Sequence, residues 1–386
     1  MPPRREPAMK LKEKASFDTL LQEVVDRKLC NRCGGCVSFC SADRIGALEM
    51  GKDGFPRYAN REKCLECGIC YLVCPQTHNL KEEVREKFGW SEPVGLCQDV
   101  LSARATDPAV QKAATDGGVV TGLLLFMLES GLIDGAIVSE QTGLLDRRAV
   151  VATSREALLR AAGSHWGETS HLEHVGSEYS TYVSIIPTIR ELAPKSVIKL
   201  AVVGTPCQIE SIRKMQVLRI LPADVVTFAV GLFCMQSFAL NELMEREFAR
   251  KHQLGMRDVA KVNIKDDFIL KMKSGITMHI PLDEVETIAR PACLACVDFA
   301  NVYADIAVGG LGSPDGYTTT LIRTIGGKRV FTDAVRRGYI EERRGEGRGK
   351  GHDAERAERA RILGLIETAA EKKRSRGEKR LSQLKA

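Results

Sequence analysis

The pattern of hydrophobic and polar positions along the 386-residue chain changes near residue 95. From there to about residue 340, apolar stretches of strand length alternate with stretches of helical periodicity. Strands are predicted at Leu132–Val138, Val197–Val203, Val225–Phe233, Asp305–Val308 and Tyr317–Arg323, and helices at Gly117–Gly131, 154–162, 178–193, Gln208–Met215 and Asn241–His252. Residues 259–282 alternate apolar and polar positions, as β-hairpins do. This order of elements predicts an α/β (α+β) domain with a mixed sheet.

The chain on either side of this region has a different character. Residues 1–16 are expected to be a flexible lead, and residues 17–88 are expected to form a small cysteine-rich domain. The larger domain is assigned to residues 95–340. Residues 341–386 are rich in Arg, Lys, Glu, Ala and Gly, so we expect a basic, mobile tail with one helix near Ala354–Lys373.

Positive charge is concentrated at the two ends of the chain. Residues 1–14 contain 5 Lys/Arg against 2 Asp/Glu, and residues 341–386 contain 14 against 9. Since the whole chain carries +6, the body between these ends is nearly neutral, at about −2. A nucleic-acid-binding protein concentrates basic residues on a folded face, so that class is excluded. The basic ends are solvated segments, or they contact an acidic partner or an anionic membrane surface.

The sequence contains neither an apolar secretory leader nor an uninterrupted apolar stretch of about 18 residues. We therefore expect no transmembrane segment. A cytoplasmic location is predicted, with a peripheral position at the cytoplasmic face of the membrane as the alternative. In a reducing compartment, thirteen cysteines indicate metal or redox chemistry rather than disulfides.

Eight of the cysteines form two copies of one motif. The copies, LCNRCGGCVSFC at Leu29–Cys40 and KCLECGICYLVC at Lys63–Cys74, share the spacing C-x2-C-x2-C-x3-C. This is the spacing of bacterial ferredoxins with two [4Fe–4S] clusters, in which the fourth cysteine of each copy binds the other cluster. One cluster is predicted at Cys30, Cys33, Cys36 and Cys74, and the other at Cys64, Cys67, Cys70 and Cys40. Zinc is the alternative, but zinc motifs rarely pack four cysteines so closely, still less twice.

Four segments of the larger domain resemble a known family. They are TDGGVVTGLLLFMLESGLIDGAIV from Thr115, AAGSHWGETS from Ala161, VVGTPCQIESIRK from Val202 and CLACVDFANVYADIAVGGLGS from Cys293. Together they resemble the family of coenzyme F420 hydrogenase/dehydrogenase beta subunits. With its fused ferredoxin module, the chain is most similar to the input subunit of F420H2 dehydrogenases.

The resemblance implies FAD as a cofactor and coenzyme F420, a deazaflavin, as the substrate. It also implies a flavin pocket lined by Gly117, Gly118, Val119, Thr121, Ser164, His165, Gly204, Thr205, Pro206 and Gln208. The glycine pair precedes a helix whose N–H groups can face a phosphate. The GTPCQ segment follows a buried strand, at the position where α/β proteins bind ligands. The anionic tail of F420 needs basic contacts, for which Arg290, Lys265 and Arg323 are candidates; each is equally well a surface charge.

Four further cysteines, Cys207, Cys234, Cys293 and Cys296, lie in or beside predicted loops. The family is similar in placing a third [4Fe–4S] cluster beside the flavin, so these four are its predicted ligands. The alternative is that Cys234 is a buried small hydrophobic residue. Cys97 has no assigned partner and is expected to be structural.

The resemblance predicts an F420H2:acceptor oxidoreductase subunit. A hydride from reduced F420 would reach FAD, and single electrons would pass through the clusters to a partner redox complex, which is a membrane-bound dehydrogenase or a soluble hydrogenase or reductase. No catalytic side chain is required for hydride transfer. The alternatives are an F420-reducing hydrogenase subunit, an accessory of heterodisulfide or sulfite reductase, a ferredoxin-dependent reductase of the chlorophyll-pathway type, and a relay without catalysis.

Overall fold

The computed structural model describes residues 15–42, 45–91, 93–141, 147–164, 199–220, 223–238, 249–264, 267–286, 288–343 and 351–385. The helix predicted over residues 178–193 lies outside these ranges. So do residues 1–14 of the expected lead and most of the helix predicted at Asn241–His252.

The cysteine-rich segment folds around a core of its own. Its elements are α1 (Phe17–Leu20), α2 (Gly35–Ala42), β1 (Leu48–Met50), β2 (Pro56–Tyr58), α3 (Ile69–Leu72) and α4 (Lys81–Phe88). Strands β1 and β2 pair antiparallel, with Leu48 opposite Tyr58. Phe17 and Leu20 of α1 pack with Val37 of α2 and Tyr71 of α3. The two motif copies are therefore held by one shared apolar cluster.

The rest of the chain contains most of the secondary structure. Its strands are β3 (Asp99–Ala105), β4 (Gly135–Gln141), β5 (Arg147–Ala152), β6 (Leu200–Gly204), β7 (Val226–Leu232), β8 (Val259–Ile264), β9 (Phe268–Met272), β10 (Thr277–Ile280), β11 (Ile306–Gly309), β12 (Thr318–Ile322) and β13 (Ile340–Glu342). Its helices are α5 (Pro108–Ala113), α6 (Val119–Glu129), α7 (Arg155–Arg160), α8 (Pro206–Leu218), α9 (Leu282–Glu286), α10 (Pro291–Leu294), α11 (Ile325–Arg336) and α12 (Gly351–Lys385).

Eight of these strands form a mixed sheet in the order β13-β3-β12-β11-β7-β6-β4-β5, which confirms the predicted fold class. Strands β4, β6, β7 and β11 are parallel. Strand β3 has the same direction, because β12 is antiparallel to both β11 and β3. Five strands therefore end at the same side of the sheet, which we call the carboxyl edge. Such edges are where α/β proteins bind ligands.

The predicted strands of this sheet are present, with shifted ends. The largest shift concerns β4, which begins at Gly135 rather than at Leu132. Helix α6 ends at Glu129, and the N–H of Leu132 still bonds back to the carbonyl of Met127. Gly131 has a φ of +66°, the left-handed conformation that glycine adopts easily at helix ends. The residues predicted to start the strand are thus used to terminate the helix.

A second, three-stranded antiparallel sheet has the order β10-β9-β8, as the alternating pattern over 259–282 predicted. It covers the turn before α6. The Asn263 amide donates to the Asp116 carboxylate at 2.8 Å, and Lys261 donates to the carbonyls of Lys112 and Ala114. These contacts hold the three-stranded sheet next to the carboxyl edge, where it forms a wall on one side.

Helix α8 joins the large domain to the cysteine-rich domain. Its apolar residues Ile209 and Ile212 pack with Val73 and Val84 in one core cluster. The Ser211 hydroxyl donates to the carbonyl of Val73 at 2.9 Å. Because a single helix buries side chains against both domains, the two domains share a packed interface.

The C-terminal segment differs from the mobile tail that composition indicated. Helix α12 has 35 residues, which extends well beyond Ala354–Lys373 at its C-terminal end. Its residues Ile362, Ile366 and Ala370 are buried with the apolar residues of β3, β11 and β12. The segment has few apolar residues, but they recur every four positions and form one continuous stripe. Neither α12 nor another helix of the described chain is long and apolar enough to span a membrane.

Replacing Ile366 by alanine is expected to lower the free energy of unfolding by about 2–4 kcal/mol, because it leaves a cavity in this cluster. Ile366 has no exposed surface, whereas its neighbour Leu365 is 39% exposed. Leu365→Ala is the matched control and should cost less than about 1 kcal/mol. Urea denaturation followed by circular dichroism measures both. Equal effects of the two substitutions would show that α12 is not packed as described.

Candidate functional site

Four cysteines from both motif copies line one cavity. The cavity, which is small and partly open to solvent, is bounded by Cys30, Cys33, Cys36, Cys74 and neighbouring residues. Cys74 belongs to the second copy, and the other three belong to the first. We call these four residues the inner group. Gly34 has a φ of +78°, which lets the chain turn closely around the cavity before α2 begins.

The other four ferredoxin cysteines also lie together. The Cys70 thiol is within electrostatic range of Cys67, Cys64 and Cys40, so the fourth member again comes from the other copy. We call these four residues the outer group. It lies at the surface, since Cys67 is exposed and the adjacent Leu65 is 71% exposed. Each group brings together the four cysteines of one of the crossed sets that the spacing predicts, and cluster binding by each set stays a prediction.

The remaining predicted ligands, Cys207, Cys234, Cys293 and Cys296, come together at the carboxyl edge; we call them the third group. Cys207 follows β6, and Cys234 follows β7. The Cys207 thiol is within electrostatic range of Cys234 and Cys296, and Cys293 is within range of Cys296. Parallel strands place their ends side by side, which explains how residues far apart in sequence meet here.

Hydrogen bonds fix the third group. The Thr205 hydroxyl lies 3.3 Å from the Cys207 sulfur, and the Ser237 N–H donates to the Cys293 sulfur at 3.3 Å. N–H donors to cysteine sulfur are among the features that tune iron–sulfur clusters.

The three groups form a row. Cys207 of the third group is within electrostatic range of Cys33 of the inner group. Cys36 of the inner group is within range of Cys70 of the outer group. The row therefore leads from the carboxyl edge of the sheet, through the inner group, to the protein surface.

Burial keeps these thiols protonated in the absence of metal. It raises the pKa of Cys33, Cys70 and Cys234 to about 12 and that of Cys74 to about 11. A nucleophilic cysteine requires a lowered pKa, so thiol catalysis is excluded for these four residues. Metal ligation removes the protons, and cluster assembly should therefore be favoured as the pH rises.

The cysteines of the inner group are placed around a cavity, which fits a cluster better than a single ion. Within the described ranges, no three Cys, His, Asp or Glu side chains converge closely enough to hold one metal ion. The inner-group cysteines instead surround a cavity. Zinc ligands converge on one point, whereas four cysteines around a cubane stand further apart.

The predicted flavin residues fall at two places on the carboxyl edge. Gly117 and Gly118 precede α6, near the start of β12, and Gly204 to Gln208 follow β6. Strands β12 and β6 are three strand spacings apart in the sheet, or about 14 Å. Ser164 lies beside the first place, since its N–H donates to the Thr115 hydroxyl at 2.6 Å. His165 lies outside the described residues.

The two glycines before α6 have different roles. The N–H of Gly117 is not available to a phosphate, because it donates to the Thr318 hydroxyl at 2.9 Å. A Cβ at Gly117 would lie 2.6 Å from the carbonyl oxygen of Ala103, so glycine is required there by packing. Gly118 caps α6 with a φ of +74°. The free donors at this position are expected in the first turn of α6, which includes Val119 and Thr121.

The GTPCQ segment is a helix start. Thr205 precedes α8, Pro206 occupies the first helical position, and the Gln208 side-chain oxygen accepts from the Thr205 N–H at 2.9 Å. Proline and a capping residue pair are typical of this position. The side chains of Thr205 and Gln208 thus have a structural role, because they cap α8. Cys207 is the second residue of this helix.

Two of the basic residues proposed for the F420 tail are buried and bind the protein itself. Arg323 is 2% exposed, and its guanidinium donates to three backbone carbonyls. Arg290 is 8% exposed and donates to the carbonyl of Asn31, between the inner and third groups. The prediction was wrong for both residues, because burial cannot be read from an isolated arginine. Lys265 lies outside the described residues.

Sequence reasoning missed Asn301, which connects two strands beside the third group. It has no exposed surface, and its amide donates to the carbonyls of Gly204 and Leu232, the last residues of β6 and β7. A Cβ at Gly231 would lie 2.3 Å from this amide, so glycine is needed at position 231 to leave room for the Asn301 side chain. Asn301 has a φ of +60°, a conformation that asparagine tolerates better than most residues. The sequence around it carries no signal that would have identified this role.

Three protein-family models match the chain. A 4Fe-4S dicluster domain matches residues 22–75. The N-terminal and C-terminal models of the coenzyme F420 hydrogenase/dehydrogenase beta subunit match residues 100–175 and 197–347, which together exceed half of the chain. The chain belongs to the family of coenzyme F420 hydrogenase/dehydrogenase beta subunits. The resemblance of the four sequence segments is thereby confirmed.

Individual members of this family are similar over long stretches. The coenzyme F420 hydrogenase subunit beta of Methanosarcina barkeri is 32% identical over 246 residues, covering 62% of this chain and 80% of the relative. One subunit of the F(420)H(2) dehydrogenase of Methanosarcina mazei is 28% identical over 331 residues, covering 82% and 85%. A chain of the F420-reducing [NiFe] hydrogenase complex from Methanosarcina barkeri superposes with a TM-score of 0.60 at 29% identity, covering 76% and 94%.

The match to the dicluster domain supports iron–sulfur clusters in the N-terminal part of this family member. The beta-subunit models end at residue 347, and α12 begins at Gly351. Helix α12 therefore lies beyond the matched family region, although it packs on that region.

Proposed function

We propose that this chain is the coenzyme F420-dependent subunit of a redox complex. It would oxidise reduced F420 with FAD as cofactor and deliver single electrons to a partner through three [4Fe–4S] clusters. The observation that carries the proposal is the row of cysteine groups. One end of the row lies at the ligand-binding edge of the sheet, and the other end lies at the surface.

Each cysteine group would hold one cluster. The inner group surrounds a cavity, and the cysteines of all three groups lie in loops or on helices whose ends are defined by the fold. The chain's contribution is to fix the order of the three sites and to shield them in part, since Cys293 is buried and Cys33, Cys36 and Cys207 are half-buried. Burial and hydrogen bonds to sulfur set cluster potentials.

The flavin would lie along the carboxyl edge, between the first turn of α6 and the GTPCQ loop. About 14 Å separates the strands at these two places, a span that suits a dinucleotide rather than a single ring. The N–H groups of α6, with Val119 and Thr121, would bind phosphate, while Gly204 and Pro206 would lie near the third group. When bound, FAD supplies the exchange between two-electron hydride chemistry and one-electron carriers.

The partner is proposed to be a redox complex that docks near the outer group. Relatives of this chain are named as subunits of an F420 hydrogenase and of an F420H2 dehydrogenase. Exposed Cys67 and Leu65 mark the place where the row reaches the surface. A cytoplasmic location, or a peripheral one at the cytoplasmic face of a membrane, follows from this role.

An anaerobic titration with reduced F420 tests the proposal. The reconstituted chain should lose flavin and cluster absorbance while the absorbance of oxidised F420 appears. Dithionite, which reduces iron–sulfur clusters without a specific binding site, is the control and must bleach the same sample. If dithionite bleaches the protein and reduced F420 does not, this is not an F420 enzyme, and reduction of another substrate by ferredoxin becomes the leading hypothesis.

A further inference from the structure

Helix α12 passes directly over the third group. It begins on the large sheet, where Ile362 and Ile366 are buried, and it ends beside the cysteine-rich domain, where Leu381 and Leu384 pack against the core of that domain. Between these two anchors, one helical turn, Lys373–Gly377, lies against the loops that carry Cys234, Cys293 and Cys296.

The approach of this turn to the cysteine loops is close. A Cβ at Gly377 would lie 2.7 Å from the carbonyl oxygen of Cys296, so only glycine permits the observed contact. Arg376 donates to the carbonyls of Met235 and Cys293, at 3.1 Å and 3.5 Å. The turn therefore contacts the backbone on both sides of the third group.

Lys373 is the charged residue that this turn buries. It is 1% exposed, and its ammonium donates to the carbonyl of Cys234. Its ammonium is thus held against the backbone of the third group, away from solvent.

Charge is the feature that links this lysine to the third group. Burying an ammonium is costly unless a negative charge is near, and a single carbonyl does not supply one. The Asp298 carboxylate, which accepts from the N–H groups of Asn301 and Val302, is within electrostatic range of Lys373 and supplies one such charge. Because the Lys373 ammonium contacts the Cys234 backbone, the thiolates formed when a cluster binds would add further negative charge beside it.

We propose that Lys373 is a positioning residue of the third iron–sulfur site: it balances the charge of that cluster and raises its reduction potential. This inference rests on the proposed third cluster. A reduced cluster carries one more negative charge than an oxidised one, so a nearby cation favours the reduced form. Helix α12, which lies outside the matched family region, would then adjust the first carrier after the flavin.

The test compares Lys373→Gln with Lys372→Gln in the full chain. Lys372 is the adjacent, exposed lysine of the same helix, so its substitution removes the same charge without touching the site. Iron is first determined in the unsubstituted protein. The potentials of the clusters are then measured by redox titration with electron paramagnetic resonance, in which the two ferredoxin clusters serve as internal references.

In Lys373→Gln, the reduction equilibrium of the third cluster should shift at least tenfold toward the oxidised form, or about 59 mV downward for one electron. The ferredoxin clusters should shift less, and Lys372→Gln should have no effect on any cluster. Lys373→Arg, which keeps the charge, should restore the original potential. If Lys373→Gln does not fold, Lys373→Met replaces it, because methionine fills a similar volume without a polar end.

An unchanged third-cluster potential in a fully loaded Lys373 variant would overturn the inference, and so would equal shifts in the Lys372 variant. Loss of the third cluster alone from Lys373→Gln, with retention in Lys373→Arg, would support it. A different result, about eight rather than twelve iron atoms in the unsubstituted chain, would overturn the third cluster itself. The failure of the proposed function is thus distinguishable from the failure of this inference.

Discussion

Replacing Cys74 by alanine is expected to remove about four iron atoms per chain, and the cluster that is lost should be the one held by the other motif copy. Cys74 ends the second copy but lines the cavity of Cys30, Cys33 and Cys36. The remaining members of its own copy, with Cys40, form the outer group and should keep their cluster. Electron delivery to an external acceptor should be lost, because the inner group is the middle of the row.

Alkylation followed by mass spectrometry identifies which cluster is lost. In Cys74→Ala, the thiols of Cys30, Cys33 and Cys36 should become reactive, while those of the outer group stay protected. Cys97→Ala is the matched control: this cysteine is exposed and belongs to none of the three groups, so iron should be unchanged. Alkylation of Cys64, Cys67 and Cys70 in the Cys74 variant would show that each copy binds its own cluster.

Replacing Arg323 by methionine is expected to lower the free energy of unfolding by about 3–5 kcal/mol. The Arg323 guanidinium donates to the carbonyls of Val94, Leu96 and Ala300, each at 2.7 Å. Burial lowers the pKa of Arg323 to about 10, so part of the loss is offset because a buried charge is also removed. Three carbonyls that lose a buried donor outweigh this gain, since each costs about 1–3 kcal/mol.

The control for Arg323→Met is Arg336→Met on α11. Arg336 is 72% exposed and pairs with Asp333 at the surface, so its loss should change stability by less than about 1 kcal/mol. Denaturant midpoints of both variants measure the difference. A stable Arg323→Met variant would mean that this arginine does not hold Val94 and Leu96, the segment before β3. The arginine would then again be a candidate for ligand binding.

The sequence was most informative where chemistry fixes the spacing. Ligands of a two-cluster ferredoxin must recur at set intervals, so the inner and outer groups were predictable, including the exchange of Cys40 and Cys74. The alternation of strands and helices was enough to predict the mixed sheet, and sheet topology then brings Cys207 and Cys234 to one edge. The third group was named only by resemblance, because nothing in its spacing specifies a shared site.

Features that depend on tertiary contacts could not be predicted. Helix α12 has the composition of a solvated segment. Its few apolar residues can be recognised as a buried stripe only when the face of β3 and β12 that they cover is known. Arg290, Arg323 and Lys373 look like surface charges in sequence, yet all three are buried. Gly117 shows the same limit, since its N–H seemed free for a phosphate until Thr318 was found opposite it.

The position of α2 has a consequence for the rate of electron flow. Cys36 and Cys40 lie on this one helix, four residues apart, and the crossed ligand sets assign them to different clusters. Four residues of helix correspond to a rise of about 6 Å, which can change only if the helix unwinds. With the proposed crossed ligand sets, the distance that an electron must cross between the two ferredoxin clusters would therefore be held by the backbone hydrogen bonds of α2. It should stay constant when a partner docks or the domains shift, so regulation of electron flow has to act elsewhere.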